Sequence, residues 1–183
     1  TSAPRGRIYD RNHKIIVDNK AIKSITYKKD KNISVSQMIE LAYTVSPHLD
    51  LSYSSLTNRS KREFYLAKYP DVCDKKITQK EREKVKIGEL STTDLEELKI
   101  SRITDSELAT FTDVDLKAAY LYYLMNKGYT YDEKTIKEEA TDQEYAYIAE
   151  HNSELDGFNT VLDWERVYPY GDTFRSILGT VST

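Results

Sequence analysis

The stretch APRGRIYDRNHKIIVDN, residues 3–19, decides the fold of this chain. Two short runs of strand-forming residues, 7–10 and 15–17, flank a polar corner of four residues. This arrangement predicts a β-hairpin. Asn12 and His13 stand in the corner, and both residue types tolerate the positive φ that a tight hairpin turn requires.

Two more strands are predicted from similar patterns. The polar pair at residues 18–19 is expected to end the second strand of the hairpin, and residues 21–28 alternate in polarity and predict a third strand. Residues 159–168, NTVLDWERVY, also alternate and are rich in β-branched and aromatic side chains, which favours a strand that pairs with the hairpin. Residues 169–171 break that strand, and a short final helix is expected at residues 173–178.

The middle of the chain has the period of amphipathic helices. Longer helices are predicted at residues 35–46, 58–69, 113–127 and 142–155. The first of them follows a capping box, Ser34-Val-Ser-Gln37. The predicted buried stripe of the third helix consists of Leu116, Ala119, Tyr120, Tyr123 and Leu124.

Additional capping boxes are unusually dense in the second half of the chain. In each of them a Thr is followed three residues later by Glu or Asp, and they begin at Thr78, Thr93, Thr104, Thr112 and Thr141. The Thr hydroxyl accepts from an unpaired amide of the first turn, and the acidic side chain accepts from the amide of the cap. So many helix starts predict a compact lobe of several short helices.

Together these elements predict an α+β fold. The two chain ends, residues 1–30 and 157–183, are expected to form a β stalk. A helical head, at about residues 34–156, is inserted between its strands. Strands at both ends with helices between them make this the economical architecture.

Composition excludes several classes of protein. The 183 residues include 27 basic and 30 acidic side chains, and the net charge of -3 argues against a basic nucleic-acid-binding field. The single cysteine, Cys73, excludes an internal disulfide framework, and the three histidines lie too far apart for a metal site. Because no run of 18 apolar residues is present, no membrane-spanning helix is predicted.

The sequence predicts no active site and no cofactor. Neither Gly-x-Ser-x-Gly, Ser-x-x-Lys nor Lys-Thr-Gly occurs, and the six glycines are too scattered for a phosphate loop. The acidic pairs at 96–97 and 138–139 are interpreted as outward-facing surface. The basic runs at residues 28–31 and 80–86 are interrupted by acids, which favours a solvated face over contact with a polyanion.

Two segments resemble motifs of the class B penicillin-binding proteins. The first motif of that family, Arg-Gly-x-Ile-x-Asp-Arg-Asn, is matched by Arg5, Gly6, Ile8, Asp10, Arg11 and Asn12. A later block, Arg-x-Tyr-Pro-x-Gly followed by Leu-Gly-x-Val, is matched by Arg166, Tyr168, Pro169, Gly171, Leu178, Gly179 and Val181. The family usually has Gly where this chain has His13, so the turn is expected to hold His13 in a conformation that glycine adopts more easily.

The resemblance implies a non-catalytic pedestal, or dimerisation domain, over residues 1–183. It implies that a membrane anchor and a serine-type D,D-transpeptidase domain lie outside this chain, on a β-lactam target at the extracytoplasmic face of a Gram-positive plasma membrane. The implied partners are that transpeptidase domain, cell-wall synthesis proteins such as a polytopic glycosyltransferase, and a second copy of the chain. The similarity is closer to elongation-type members, which act in cell shape.

Two other functions stay open on the residues alone. The chain is compatible with a stand-alone extracytoplasmic adaptor that has the same stalk, and with an enzyme whose Glu or Ser side chains the sequence does not bring together.

The motif residues are expected to have structural roles rather than to bind a ligand. Gly6 is expected to permit a close backbone approach. Asp10 is expected to form charge-assisted bonds with a neighbouring arginine of the hairpin, Arg5, Arg7 or Arg11. Arg166 is expected to reach an Asp near the opposite end of the chain.

Overall fold

A thirteen-residue strand, β2 (Ile15–Tyr27), is the spine of the fold. The structure, a computed structural model, describes residues 3–171. Three shorter strands pair with β2 in an antiparallel sheet: β1 (Ile8–Tyr9), β3 (Lys134–Lys137) and β4 (Phe158–Val167). Because β3 and β4 both pair with the end of β2 at Tyr27, they lie on opposite edges of it.

The predicted pairing of the two chain ends is confirmed. β1 and β2 form the hairpin, with Ile8 opposite Val17. β4 runs beside β2 from Val167, opposite Asp18, to Phe158, opposite Tyr27. The last predicted element, the helix at residues 173–178, lies outside the described residues.

The predicted break at Asp18-Asn19 is wrong, because β2 continues through both residues. Asp18 and Asn19 pair with Val167 and Arg166 of β4, so their backbone groups belong to the ladder of the sheet. Both residue types have low strand propensity, but cross-strand pairing overrides such preferences. The hairpin strand and the predicted third strand are therefore one continuous element.

β3 is a strand that the sequence analysis does not predict. It consists of four residues, and only Ile136 among them is buried. Its strand conformation depends on pairing with Ile25, Thr26 and Tyr27 of β2, more than a hundred residues earlier in the chain. The helical head therefore contributes a strand to the sheet.

Eight helices lie between β2 and β4 in the described part of the chain. They are α1 (Val35–Val45), α2 (Asn58–Lys68), α3 (Pro70–Asp74), α4 (Gln79–Lys86), α5 (Thr92–Ser101), α6 (Asp105–Leu108), α7 (Asp113–Asn126) and α8 (Asp142–Glu150). A short 3-10 turn, Ser46–His48, follows α1. The expected lobe of short helices is confirmed.

The capping boxes account for most of the helix starts. Those at Thr78, Thr104, Thr112 and Thr141 are formed as predicted, but the box at Thr93 is wrong. Ser91 caps α5 instead, and Asp94 at the third helical position completes the box. Asp94 accepts from the Ser91 amide at 3.1 Å, so a box with Asp begins the helix two residues before the predicted start.

The core lies where α1 and α7 pack together over the head end of the sheet. The predicted stripe on α7 faces the core, but only Ala119 of it is fully buried; the other fully buried residues of this helix are Ala118, Leu121 and Met125. Ala118 and Ala119 have small side chains, which let α7 approach its neighbours closely. The predicted tyrosines are instead half-buried, with their rings against the core.

Candidate functional site at the junction of the two chain ends

Asp10 holds the hairpin turn together. Its Oδ1 accepts from the backbone N–H of Asn12 at 2.7 Å and of Lys14 at 2.8 Å. Its own N–H donates to the Lys14 carbonyl at 2.8 Å. His13 has φ +60, which confirms that this residue adopts the left-handed conformation glycine takes more easily.

The expected arginine partner of Asp10 is wrong: no described arginine forms an ion pair with Asp10, whose Oδ1 accepts from two backbone amides. The arginine that does form an ion pair in this hairpin is Arg7, whose Nε donates to Oδ1 of Asp18 at 2.7 Å. The backbone N–H of Asn19 and the Arg7 guanidinium together hold the pKa of Asp18 below its usual range. This pair links the segment before β1 to the first turn-proximal residues of β2.

Arg166 and Asn19 together bind the backbone of the first motif. They are opposite residues in the ladder between β2 and β4, so their side chains project from the same face of the sheet. Arg166 Nη2 donates to the carbonyl of Gly6 at 3.1 Å, and Asn19 Nδ2 donates to the carbonyl of Arg5 at 2.5 Å. We name this arrangement, formed by Arg5, Gly6, Asn19 and Arg166, the end clamp.

The end clamp corrects two expectations. Arg166 reaches a backbone carbonyl of the first motif, whereas an Asp was expected. Gly6 is not a point of close approach, because a Cβ at this position would meet open space; its role in the clamp is its carbonyl group.

The remaining motif residues that the structure describes add no reactive group to the clamp. Ile8 is half-buried on β1, whereas Arg11 and Asn12 are exposed in the turn. Tyr168 is half-buried just after β4, and its carbonyl accepts from the N–H of Gly171 at 3.0 Å. Pro169 is exposed, and Leu178, Gly179 and Val181 lie outside the described residues.

The chemistry of the clamp is that of a structural joint. It consists of backbone carbonyls, an amide and a guanidinium, none of which is a nucleophile or a general base. Within residues 3–171 no group of three or more His, Cys, Asp or Glu side chains is arranged to hold a metal ion. Cys73 is buried, and burial raises the pKa of its thiol.

Glu144 is a second structural centre, which the sequence analysis identifies only as part of a capping box. Its buried carboxylate accepts from Lys137 Nζ at 2.6 Å and from the Asp50 amide at 2.7 Å, in addition to the Thr141 amide at 2.8 Å. Burial by itself would raise the pKa of Glu144, but these hydrogen bonds lower it to about 2. Glu144 thus joins α8, β3 and the loop after α1.

No helix among the described residues has the length and apolar character needed to cross a membrane.

The comparisons with known proteins agree with the fold. The family model described as "Penicillin-binding Protein dimerisation domain" matches residues 1–183. The chain is 37% identical over 184 residues to penicillin-binding protein 2A of Bacillus subtilis (strain 168), covering 100% of this chain and 26% of that protein. It is 26% identical over 211 residues to penicillin-binding protein H of the same strain, covering 99% of this chain and 29% of that protein.

A solved structure has a similar fold. Penicillin-binding protein 2B from Streptococcus pneumoniae (strain R6) superposes with a TM-score of 0.68 at 23% identity, covering 100% of this chain and 28% of that one. The chain therefore spans between a quarter and a third of the length of the relatives it matches.

Proposed function

Since this chain belongs to the penicillin-binding protein dimerisation domain family, we propose that it is the non-catalytic pedestal of a peptidoglycan D,D-transpeptidase. In this role it holds a transpeptidase domain, encoded after residue 183, away from a membrane to which the protein is anchored before residue 1. In this proposal the domain is located at the extracytoplasmic face of the plasma membrane.

The end clamp is the observation that carries this proposal. It joins the first motif, at Gly6, to Arg166 near the last described residues, so the stalk is closed at one end. From Asn19, in the clamp, β2 continues to Tyr27 at the helical head. At about 3.3 Å per residue, this part of the strand spans roughly 25–30 Å. A closed stalk of this length suits a spacer, because its two ends are held in a fixed relation.

The same proposal divides the chain into a stalk, at residues 1–30 and 157–183, and a head at about residues 34–156. The head offers surfaces for partners in cell-wall synthesis, among them a polytopic glycosyltransferase of the elongation machinery, and for a second copy of the chain. Half-exposed apolar side chains such as Val72 and Val114 lie on helices of the head and suit such contacts.

The proposal is tested first by sequencing the gene downstream of codon 183. Ser-x-x-Lys, Ser-x-Asn and Lys-Thr-Gly in this order are expected, because they are the signatures of the transpeptidase domain in this family. A stop codon soon after residue 183 would instead favour the stand-alone adaptor.

A labelling experiment separates pedestal from enzyme. A fluorescent penicillin is expected to acylate the full-length protein but not the 183-residue chain. Full-length Arg166→Ala is expected to be acylated normally in detergent, since the clamp contains no catalytic group, but to support cell-wall cross-linking poorly in cells. Stable labelling of the 183-residue chain, or full function of Arg166→Ala in cells, would contradict the pedestal role.

A further inference from the structure

The basic run at residues 28–31 is largely exposed, as its composition favours, and it also borders a cavity. This cavity, of about 730 Å³, lies where the chain leaves β2, at the opposite end of that strand from the end clamp. Lys28, Lys29 and Lys31 line it together with Gln37, Tyr131 and Asn159. We name it the lysine cleft. Its volume is in the range of sites that bind small molecules, about 300–1,000 Å³.

The wall of the lysine cleft is fixed by a close backbone contact. The N–H of Lys28 donates to the carbonyl of Gly157 at 2.8 Å. Gly157 has φ +85, and a Cβ there would lie 2.4 Å from the Lys28 carbonyl oxygen and 2.9 Å from the ring of Tyr27. Only glycine fits between these neighbours, so the loop that carries the lysines is held in place without a ligand.

The cleft carries an excess of positive charge. Lys20 and Lys23, which lie on β2, form ion pairs with Glu139 and Asp142. Lys28, Lys29 and Lys31 form no ion pair with any of the described residues.

Acidic groups only partly offset this charge. Asp30 and Asp156 are the two carboxylates among the lining residues. Asp30 accepts from the Asn32 amide at 2.7 Å and keeps its negative charge, so the lining carries three lysines against two carboxylates. Nearby, burial and the charge of Lys29 lower the pKa of Lys134, so a fourth lysine is close to the same loop. Such a concentration of one sign of charge attracts a ligand of the opposite sign.

The other lining groups narrow the class of ligand. Gln37 uses its Oε1 in the capping box of α1, which leaves its Nε2 as a donor. Asn159 also borders the cleft; its Oδ1 accepts from Asn152 Nδ2 at 3.3 Å and its Nδ2 donates to the Gly157 carbonyl at 3.4 Å, which leaves one N–H of this amide as a donor. Tyr131 is 52% exposed and offers an aromatic face. Carboxylates suit the lysines, hydroxyl groups suit the amides, and the apolar face of a sugar ring suits the tyrosine.

We propose that the lysine cleft binds an acidic oligosaccharide, with its carboxylates at Lys28, Lys29 and Lys31 and a sugar ring against Tyr131. The site is independent of the proposed pedestal role, because it is argued from the cavity and its side chains alone.

Isothermal titration of the 183-residue chain at low ionic strength tests this site with hexagalacturonate as the probe. Neutral maltohexaose and linear polyphosphate serve as comparison ligands. We expect hexagalacturonate to bind and maltohexaose not to bind. The triple variant K28Q/K29Q/K31Q is expected to weaken binding by about tenfold or more, and Tyr131→Ala by about fivefold, through the lost charge-assisted bonds and the lost ring contact.

The matched control is K80Q/K84Q/K86Q on α4, which removes the same charge from a helix without buried residues. The affinity of this control variant for hexagalacturonate is expected to stay within about twofold of that of the unchanged chain. Surface charge far from a site acts on the ligand only through a field that salt screens. Equal losses in both triple variants would overturn the proposal in favour of unspecific attraction. The proposal would also be overturned if hexagalacturonate did not bind. The same holds if polyphosphate bound more tightly than hexagalacturonate and Tyr131→Ala left that binding unchanged.

Discussion

Arg166 donates from its Nη2 to the carbonyl oxygen of Gly6 across 160 residues of sequence, at a distance of 3.1 Å. The contact joins the two motif segments, because Gly6 precedes β1 and Arg166 lies at the end of β4. Since the acceptor is a backbone carbonyl, the contact depends on the strand register and not on the side chain at position 6. The end clamp therefore depends on how the strands of the stalk are aligned.

Arg166→Ala should destabilise the chain. Removing the guanidinium leaves the Gly6 carbonyl without this donor, and hydrogen bonds from charged groups contribute about 1.5–3 kcal/mol. Because the site is only half-buried, we expect a loss of about 1 kcal/mol in the free energy of unfolding, measured by urea denaturation. Arg11→Ala, at an exposed turn position, should stay within about 0.5 kcal/mol. An unchanged melting temperature for Arg166→Ala would show that the clamp does not stabilise the stalk.

Gly157→Ala should be among the most destabilising changes in the sheet. The added Cβ would lie 2.4 Å from the Lys28 carbonyl oxygen and would also face a φ of +85. Backbone strain and overpacking together are expected to cost about 2–4 kcal/mol.

Gly88→Ala is the matched control for Gly157→Ala, because Gly88 has φ +78 but open space around a Cβ. It should cost only the strain of a left-handed residue, about 1 kcal/mol. Thermal unfolding of both variants separates the steric contribution from the conformational one. Equal melting temperatures would mean that the Lys28 loop moves aside without cost.

Glu144 should make stability fall in acid. Its pKa is lowered to about 2 in the folded chain, from an ordinary value of 4.5. Its contribution is therefore fully present above pH 4.5 and is lost as the pH falls toward about 2. For this buried carboxylate the contribution is on the order of 2–3 kcal/mol. Glu144→Gln should lower stability at pH 7 and flatten the profile between these limits.

Asp142→Asn is the control for Glu144, since Asp142 lies on the same helix but its side chain is 91% exposed in its pair with Lys23. Exposed pairs contribute about 0–1 kcal/mol, so this variant should follow the unchanged chain from pH 7 to pH 3. Urea denaturation across that range compares the two. A profile for Glu144→Gln as steep as that of the unchanged chain would assign the acid sensitivity to other groups.

α4 should detach locally when its ion pair is removed. No residue of this helix is buried, and Glu81 binds Arg102 through two hydrogen bonds of 2.6 and 2.9 Å. Arg102→Met should speed amide hydrogen exchange in residues 79–86 and leave α7 protected, because local opening does not require unfolding of the core. High salt should act in the same direction. Lys84→Met, at an exposed position of α4, should leave the exchange unchanged; equal exchange in both variants would refute the role of Arg102.

Local signals in the sequence were sufficient for the hairpin, for most of the helix caps and for the α+β class. The Asp10 turn and the box from Thr141 to Glu144 are formed by residues within four positions of each other. Their conformations therefore depend on nearby side chains and on backbone preferences, and both are visible in the local sequence pattern.

Partners far apart in sequence required the folded chain. The continuity of β2 through Asp18 depends on β4, and the strand character of Lys134–Lys137 depends on β2. Pairing of this kind is a property of the sheet and overrides the preferences of single residues.

The candidate sites of the domain also depend on partners that are far apart in sequence. The clamp between Gly6 and Arg166, the burial of Glu144 and the lysine cleft beside Gly157 each bring together segments more than ninety residues apart. The sequence identifies the chemical groups, but their distances and their burial exist only after the chain has folded, because burial and cross-strand contact are properties of packing and not of residue type.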